Sequence, residues 1–105
     1  MNDYRIDSTS EADDHAFAID TWWREHRPGS PDLFLNELTR SFVLLARLPM
    51  LGAIYDHPGA PANVRRLLMR STRNHVYYSV DEVTRVVLVR AIWHTSRGRG
   101  PFETR

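Results

Sequence analysis

Apolar and polar positions follow different rhythms in the two halves of the chain. Tyr4-Arg5-Ile6-Asp7 alternates with period two, as a short strand does. Ser8-Thr9-Ser10-Glu11 then spells a capping box, with Ser8 as N-cap and Glu11 three residues on. Glu11, Asp13 and Asp14 occupy the first turn, where the helix dipole favours acids. Ala12, Ala16, Ile19 and Trp23 form one apolar stripe at helical spacing, and Pro28-Gly29 cannot continue it. The pattern predicts a helix over residues 10–27. Ser30-Pro31 predicts a second start, with serine as N-cap and proline at the first helical position. Leu35, Leu38, Phe42 and Leu45 would be its buried face, and Pro49 stops it after Leu48. The short link between the helices predicts an antiparallel hairpin.

After Pro49 the rhythm changes. Gly52, Pro58, Gly59, Pro61 and Asn63 mark residues 52–63 as a loop or an irregular edge strand. Val64–Arg70, Val76–Val80 and Arg85–His94 are rich in β-branched and aromatic residues and read as strands, with Asp81–Thr84 as a turn. In a regular last strand, Val87, Val89, Ala91 and Trp93 share one face, and Val86, Leu88 and Ile92 the other. Apolar residues on both faces are the mark of a central strand. The order β-α-α-β-β-β predicts an α+β fold: an N-terminal strand and a two-helix antiparallel hairpin on one face of a small, mainly antiparallel sheet. The other face is expected to be open. Residues 1–105 read as one domain, with 1–3 and 103–105 as flexible tails and the basic stretch Ser96–Pro101 flexible as well.

Composition narrows the chemistry. At 42% hydrophobic and 26% charged residues the chain is globular rather than disordered. The absence of cysteine excludes a disulfide framework and a thiolate nucleophile. All 14 basic residues are arginine, which excludes lysine-dependent chemistry. Residues 1–52 hold 5 arginines and 9 acids, net −4, whereas residues 53–105 hold 9 and 4, net +5. That asymmetry points the second half at an anionic partner, which the planar guanidinium suits. Five histidines without ligand spacing argue against a metal site. The uncharged apolar run Ser41–Ala46, closed by Arg40 and Arg47, falls far short of the roughly 20 residues a membrane span needs. Met1–Arg5 lacks the build of a secretory signal, so a cytoplasmic protein without cofactor is expected.

Several motifs carry a resemblance. Leu45-Ala46-Arg47-Leu48-Pro49-Met50-Leu51-Gly52, the strand start Val64-Arg65-Arg66, and Val76-Tyr77-Tyr78-Ser79-Val80-Asp81 are similar to the RelE/ParE toxin superfamily. The closing Val86-Val87-Leu88-Val89-Arg90-Ala91-Ile92-Trp93-His94, followed by Ser96-Arg97, also resembles that family's last strand. The likeness spans residues 4–102. It implies the toxin half of a type II toxin–antitoxin pair, neutralised by a small antitoxin protein. RelE-like members cleave mRNA in the ribosome without a metal, and ParE-like members inhibit DNA gyrase.

Metal-free RNA cleavage needs a base, an acid and cations for the phosphorane. The candidates for that chemistry are His94 with Arg70 and Arg73, His94 sharing a face with Arg90 if the strand is regular, and His75, in the same hairpin region as Arg73, is a second acid–base candidate. Arg65, Arg66, His75, Arg90 and Arg97 are candidates for contacting a target or nucleic acid. Trp22 and Trp23 cannot both enter the core from adjacent helical positions, which makes Trp22 the candidate antitoxin anchor. Each has a structural alternative: His94 as a strand-end side chain, the arginines as solvated edge charges, Tyr77 and Tyr78 as sheet packing. Residues 53–80 contain no lysine and only Asp56 as an acid, and Thr95 and Ser96 stand where ribonuclease members carry a tyrosine. This incomplete set favours a ParE-like inhibitor over a RelE-like ribonuclease.

Overall fold

The computed structural model describes residues 3–103. In chain order the elements are β1 (Arg5–Ser8), α1 (Ser10–His26), α2 (Leu33–Arg47), β2 (Ala53–Ile54), β3 (Val64–Met69), β4 (Asn74–Asp81) and β5 (Val86–His94). The five strands lie in the order β1-β5-β4-β3-β2, antiparallel except for the parallel β1–β5 pair. The fold is α+β as expected, with the helix hairpin on one sheet face. Residues 1–2 and 104–105 of the expected tails lie outside the described residues.

The helix boundaries differ from the sequence reading for identifiable reasons. Ser8 still pairs with Val89 in the sheet, so the cap passes to Thr9, whose Oγ1 accepts from the Ala12 amide at 3.1 Å. Ser8 Oγ donates instead to the Asp13 carboxylate, and Glu11 does not close a capping box. Ser30 and Pro31 belong to the connecting turn, and α2 starts at Leu33 behind Asp32. The Asp32 carboxylate caps nothing because Arg24 holds it at 3.0 Å.

The stripe Ala12, Ala16, Ile19 and Trp23 packs on the core as read from the sequence. On α2 the buried face is rotated by one residue: Phe34, Glu37, Leu38, Ser41 and Leu45 are buried, whereas Leu35 is exposed. Burying each of the large apolar members stabilises by roughly 1.5–3 kcal/mol. These helices cover Met69, Val76, Tyr78, Val87, Val89 and Ile92. The junction motif acts through Gly52, whose amide donates to the Tyr78 hydroxyl at 2.8 Å. A Cβ there would lie 2.6 Å from that oxygen and 2.8 Å from the Arg66 carbonyl, so only glycine fits.

A β-bulge changes the last strand. Tyr77 pairs with Ala91 but Tyr78 pairs with Val89, leaving Arg90 as the extra residue. Val87, Val89 and Ile92 therefore face the helices, and Ala91 faces away, which overturns the regular alternation expected. The far face is not bare either. Val64, Tyr77 and Ala91 form a second cluster there, covered by Tyr55, Trp93 and Phe102. The segment expected to be flexible is held: Trp93 Nε1 donates to the Arg99 carbonyl at 2.6 Å, and Gly100 donates to Glu103 Oε2 at 2.7 Å.

Glu37 ties the layers together. Its carboxylate accepts from Ser71 N at 2.7 Å, Thr72 N at 2.9 Å and Thr72 Oγ1 at 2.7 Å, all in the β3–β4 turn. Burial pushes its pKa up, but these three donors outweigh burial and hold it below the ordinary value. Its stabilisation is therefore present above the unfolded carboxyl pKa and is lost as pH falls through the folded value. Glu37→Gln should cost about 1.5–3 kcal/mol at pH 7 in urea titrations, a gap that narrows below about pH 4. An unchanged gap in acid would show that the charge is not what holds the turn.

Candidate functional site

Pairing register sorts the candidate side chains onto two faces. Residues directly opposite in the sheet share a face, and Arg66 lies opposite Tyr77, as His75 lies opposite Trp93. All four stand on the face away from the helices. Arg65 lies opposite Tyr78 on the helix face, and its Nη1 donates to the carbonyls of Met50 at 3.1 Å and Gly52 at 2.8 Å. It is spent on the α2–β2 connection.

On the far face, Arg66, His75, Tyr77, Trp93 and Arg97 meet around a cleft of about 310 Å³, which His94 at the end of β5 and Glu103 also line. Aromatic rings hold the guanidinium groups in place: the Arg66 carbon Cζ sits 5.1 Å from the Tyr55 ring centre, and Arg97 Cζ sits 3.4 Å from that of Trp93. Arg66 Nη1 also donates to the Tyr77 hydroxyl at 3.4 Å. Among the described residues the ion pairs are Arg5–Asp7, Arg24 with Asp20 and Asp32, and His57–Glu103. Neither Arg66 nor Arg97 pairs with a carboxylate, so both remain available to an outside anion. Burial lowers the His75 pKa most, and Arg66 and Arg73 push it down further, so His75 is neutral at pH 7 and able to accept a proton.

None of the clefts described is lined by His94, Arg70 and Arg73 together. His94 lies opposite Asn74 at the end of β5, and its Nδ1 accepts from the Ser96 amide at 3.0 Å, leaving Nε2 free. Arg70 lines a groove beside Glu37, Arg40 and Leu44, which shares Arg66 and His75 with the far-face cleft but is not lined by His94. Arg73 sits in the β3–β4 turn with φ of 65°, a left-handed conformation costly for a residue with a Cβ. The expected sharing of a face by His94 and Arg90 fails because the bulge intervenes. Arg90 Nε bonds Ser79 Oγ at 2.5 Å and lines a cleft near Thr9 and His15 instead. Trp22 is exposed on α1 and stacks on His26 with ring centres 4.7 Å apart. Sequence reasoning missed Tyr55, whose ring comes from the loop after β2, and Asn74, a buried polar residue hidden in an apolar strand. Neither carries a local signal.

No protein-family model matches the sequence, and no curated protein does. Solved structures do match. A chain of the RelBE2 toxin–antitoxin complex from Mycobacterium tuberculosis superimposes with a TM-score of 0.66 at 15% identity, covering 92% of this chain and 97% of that one. A chain of the chromosomal ParDE system from P. aeruginosa gives 0.66 at 15% identity, covering 87% and 95%. One from the intact E. coli RelBE complex gives 0.57 at 20% identity, covering 90% and 99%. The fold is thus that of the RelE/ParE toxins.

The electrostatics of the cleft is directly measurable. Removing a neighbouring cation favours the imidazolium, so Arg66→Gln should raise the His75 pKa, followed through its ring proton shifts by NMR. A pKa that does not move would remove Arg66 from its causes and leave burial and Arg73.

Proposed function

We propose that this chain is the toxin of a type II toxin–antitoxin pair, ParE-like in action, which stops growth by occupying a cellular protein such as DNA gyrase. The fold shared with such toxins supports the class, but fold alone does not choose a target. The observation that carries the choice is that Arg70 and His94 line different clefts, so no one cleft is lined by His94, Arg70 and Arg73 together. Arg66 and Arg97, each on an aromatic ring and in no ion pair while Glu103 in the same cleft pairs with His57, instead suit an acidic patch on a partner or nucleic-acid phosphates at a partner's surface.

A second reading rests on a different trio. His75 is held neutral beside Arg66, with Arg97 in the same cleft, a base and two cations suited to a ribosome-dependent mRNA endoribonuclease. In that reaction His75 takes the ribose 2′-hydroxyl proton, the 2′-oxygen attacks phosphorus to leave a 2′,3′-cyclic phosphate, the P–O5′ bond breaks with the 5′-oxygen protonated by solvent, and the guanidinium groups stabilise the phosphorane between.

Neutralisation by a cognate antitoxin has a suitable surface. The groove of about 790 Å³ between α2 and β3 joins Leu44 and Leu51 to Arg40 and Arg70. Leu48, Met50 and Ile54, on the α2–β2 connection and β2, are further exposed apolar side chains, the last two lining a neighbouring cleft with Arg65 and Glu82. A segment with apolar anchors and flanking acids complements the groove. Trp22 lies outside this groove, so an antitoxin that also engages Trp22 must wrap around α1.

One purified sample distinguishes the targets. The expected result is loss of gyrase supercoiling, with no new codon-positioned mRNA ends after induction. Ends that appear and vanish with His75→Ala or Arg66→Gln would transfer the function to RNA cleavage. For the antitoxin, Arg40→Glu with Arg70→Glu should weaken the complex about tenfold or more at low salt and flatten its salt dependence in calorimetry. Affinity unchanged by both replacements would remove the groove from the interface.

A further inference from the structure

A second cleft, of about 520 Å³, opens on the helix side between α1 and the free end of the β4–β5 pair. Its size suits a small organic ligand. Its walls include Trp22 and Trp23, its rim carries Arg27 and Arg97, and it contains no carboxylate. Asn74, 1% exposed, also lines it.

The hydrogen-bond accounting around Asn74 leaves an acceptor unmet. Thr72 Oγ1 has a single proton, which it gives to Glu37 at 2.7 Å. Glu37 stays ionised because its donors hold its pKa down. Thr72 Oγ1 can then only accept from Asn74, so the amide nitrogen Nδ2 must be the group turned to it, at 2.9 Å. That fixes the orientation of the amide, and the other atom, Oδ1, is buried with no partner. A buried acceptor without a donor is rare in a folded chain, and a ligand N–H is what this one lacks.

Trp22 presents a stacking platform. His26 lies parallel to the indole but is not part of the cleft, whereas Arg27, with Cζ 5.1 Å from the ring centre, is. On the cleft side the Trp22 ring meets the exposed Arg27 guanidinium and, edge to face with ring centres 5.8 Å apart, Trp23. A flat ring that displaces Arg27 frees that guanidinium for an anion.

We propose that this cleft binds a nucleotide: the base stacks on Trp22 beside Trp23, a base N–H meets Asn74 Oδ1, and the phosphate lies between Arg27 and Arg97. Aromatic walls with an acceptor and paired cations suit a base joined to phosphate better than either part alone. Arg97 lines both this cleft and the far-face cleft that carries the proposed toxin action, whereas Trp22, Trp23 and Asn74 belong to this one alone, so the Trp22 variant tests it apart from that action.

The test titrates the full chain with 5′-AMP, adenosine and inorganic phosphate, followed by calorimetry and by the indole N–H shifts of Trp22 and Trp23. Saturable AMP binding is expected, about tenfold tighter than adenosine, with no indole shifts from phosphate alone. Trp22→Ala should weaken AMP about tenfold or more, and Arg97→Gln should erase most of the advantage of AMP over adenosine, both with unchanged melting temperatures. No AMP binding by about 5 mM, or wild-type affinity in a folded Trp22→Ala protein, overturns the proposal. An antitoxin peptide that shifts both indoles where AMP does not would also overturn it and give the cleft to a protein partner.

Discussion

Glu37 sits in the middle of an apolar helix stripe, and the functional surfaces depend on where it is held. Its carboxylate accepts both amides at the head of the β3–β4 turn and the Thr72 hydroxyl. A buried carboxylate with three donors keeps its charge, whereas one without them would be expelled or protonated. From that anchored turn Arg70 projects to one side and Arg73 to the other, and β4 begins with Asn74 and His75. The Thr95 amide donates to the Arg73 carbonyl at 2.9 Å, which sets the end of β5 against the same turn. One charged group in the core thus positions both ends of the candidate surface.

The bulge at Arg90 makes the second decision. An extra residue on β5 moves every later side chain to the opposite face relative to a regular strand. Ile92 enters the main core, Ala91 closes the smaller one, and His94 turns to the helix side opposite Asn74. Thr9 and His15 satisfy the backbone beside the bulge: the Thr9 hydroxyl donates to the Arg90 carbonyl at 3.3 Å, and Ile92 N donates to His15 Nδ1 at 3.2 Å. The bulge is therefore built into the α1 contact.

The arginines of the second half have divided roles. Arg65 braces the α2–β2 connection through backbone carbonyls. Arg66 and Arg97 rest on rings with no carboxylate partner, and Arg70 rims the α2 groove. Net charge alone measures the field a partner meets at a distance. Which guanidinium reaches that partner depends on the neighbours each finds in the fold.

The amino-acid pattern by itself determined the element order, the α1 stripe, the helix-breaking roles of Pro28 and Pro49, the strand cores and the unequal charge of the two halves. All of these arise from interactions within a few residues, which periodicity records. It was silent on the rotation of α2 that buries Glu37 and exposes Leu35, because an acid at an apolar position is explained only by donors 34 and 35 residues away. It was equally silent on the bulge, on Tyr55 and Phe102 closing the far face, and on Asn74 as an unmet acceptor. Register and hydrogen-bond satisfaction are properties of pairs distant in the chain, so only the tertiary structure decided which candidates share a cleft.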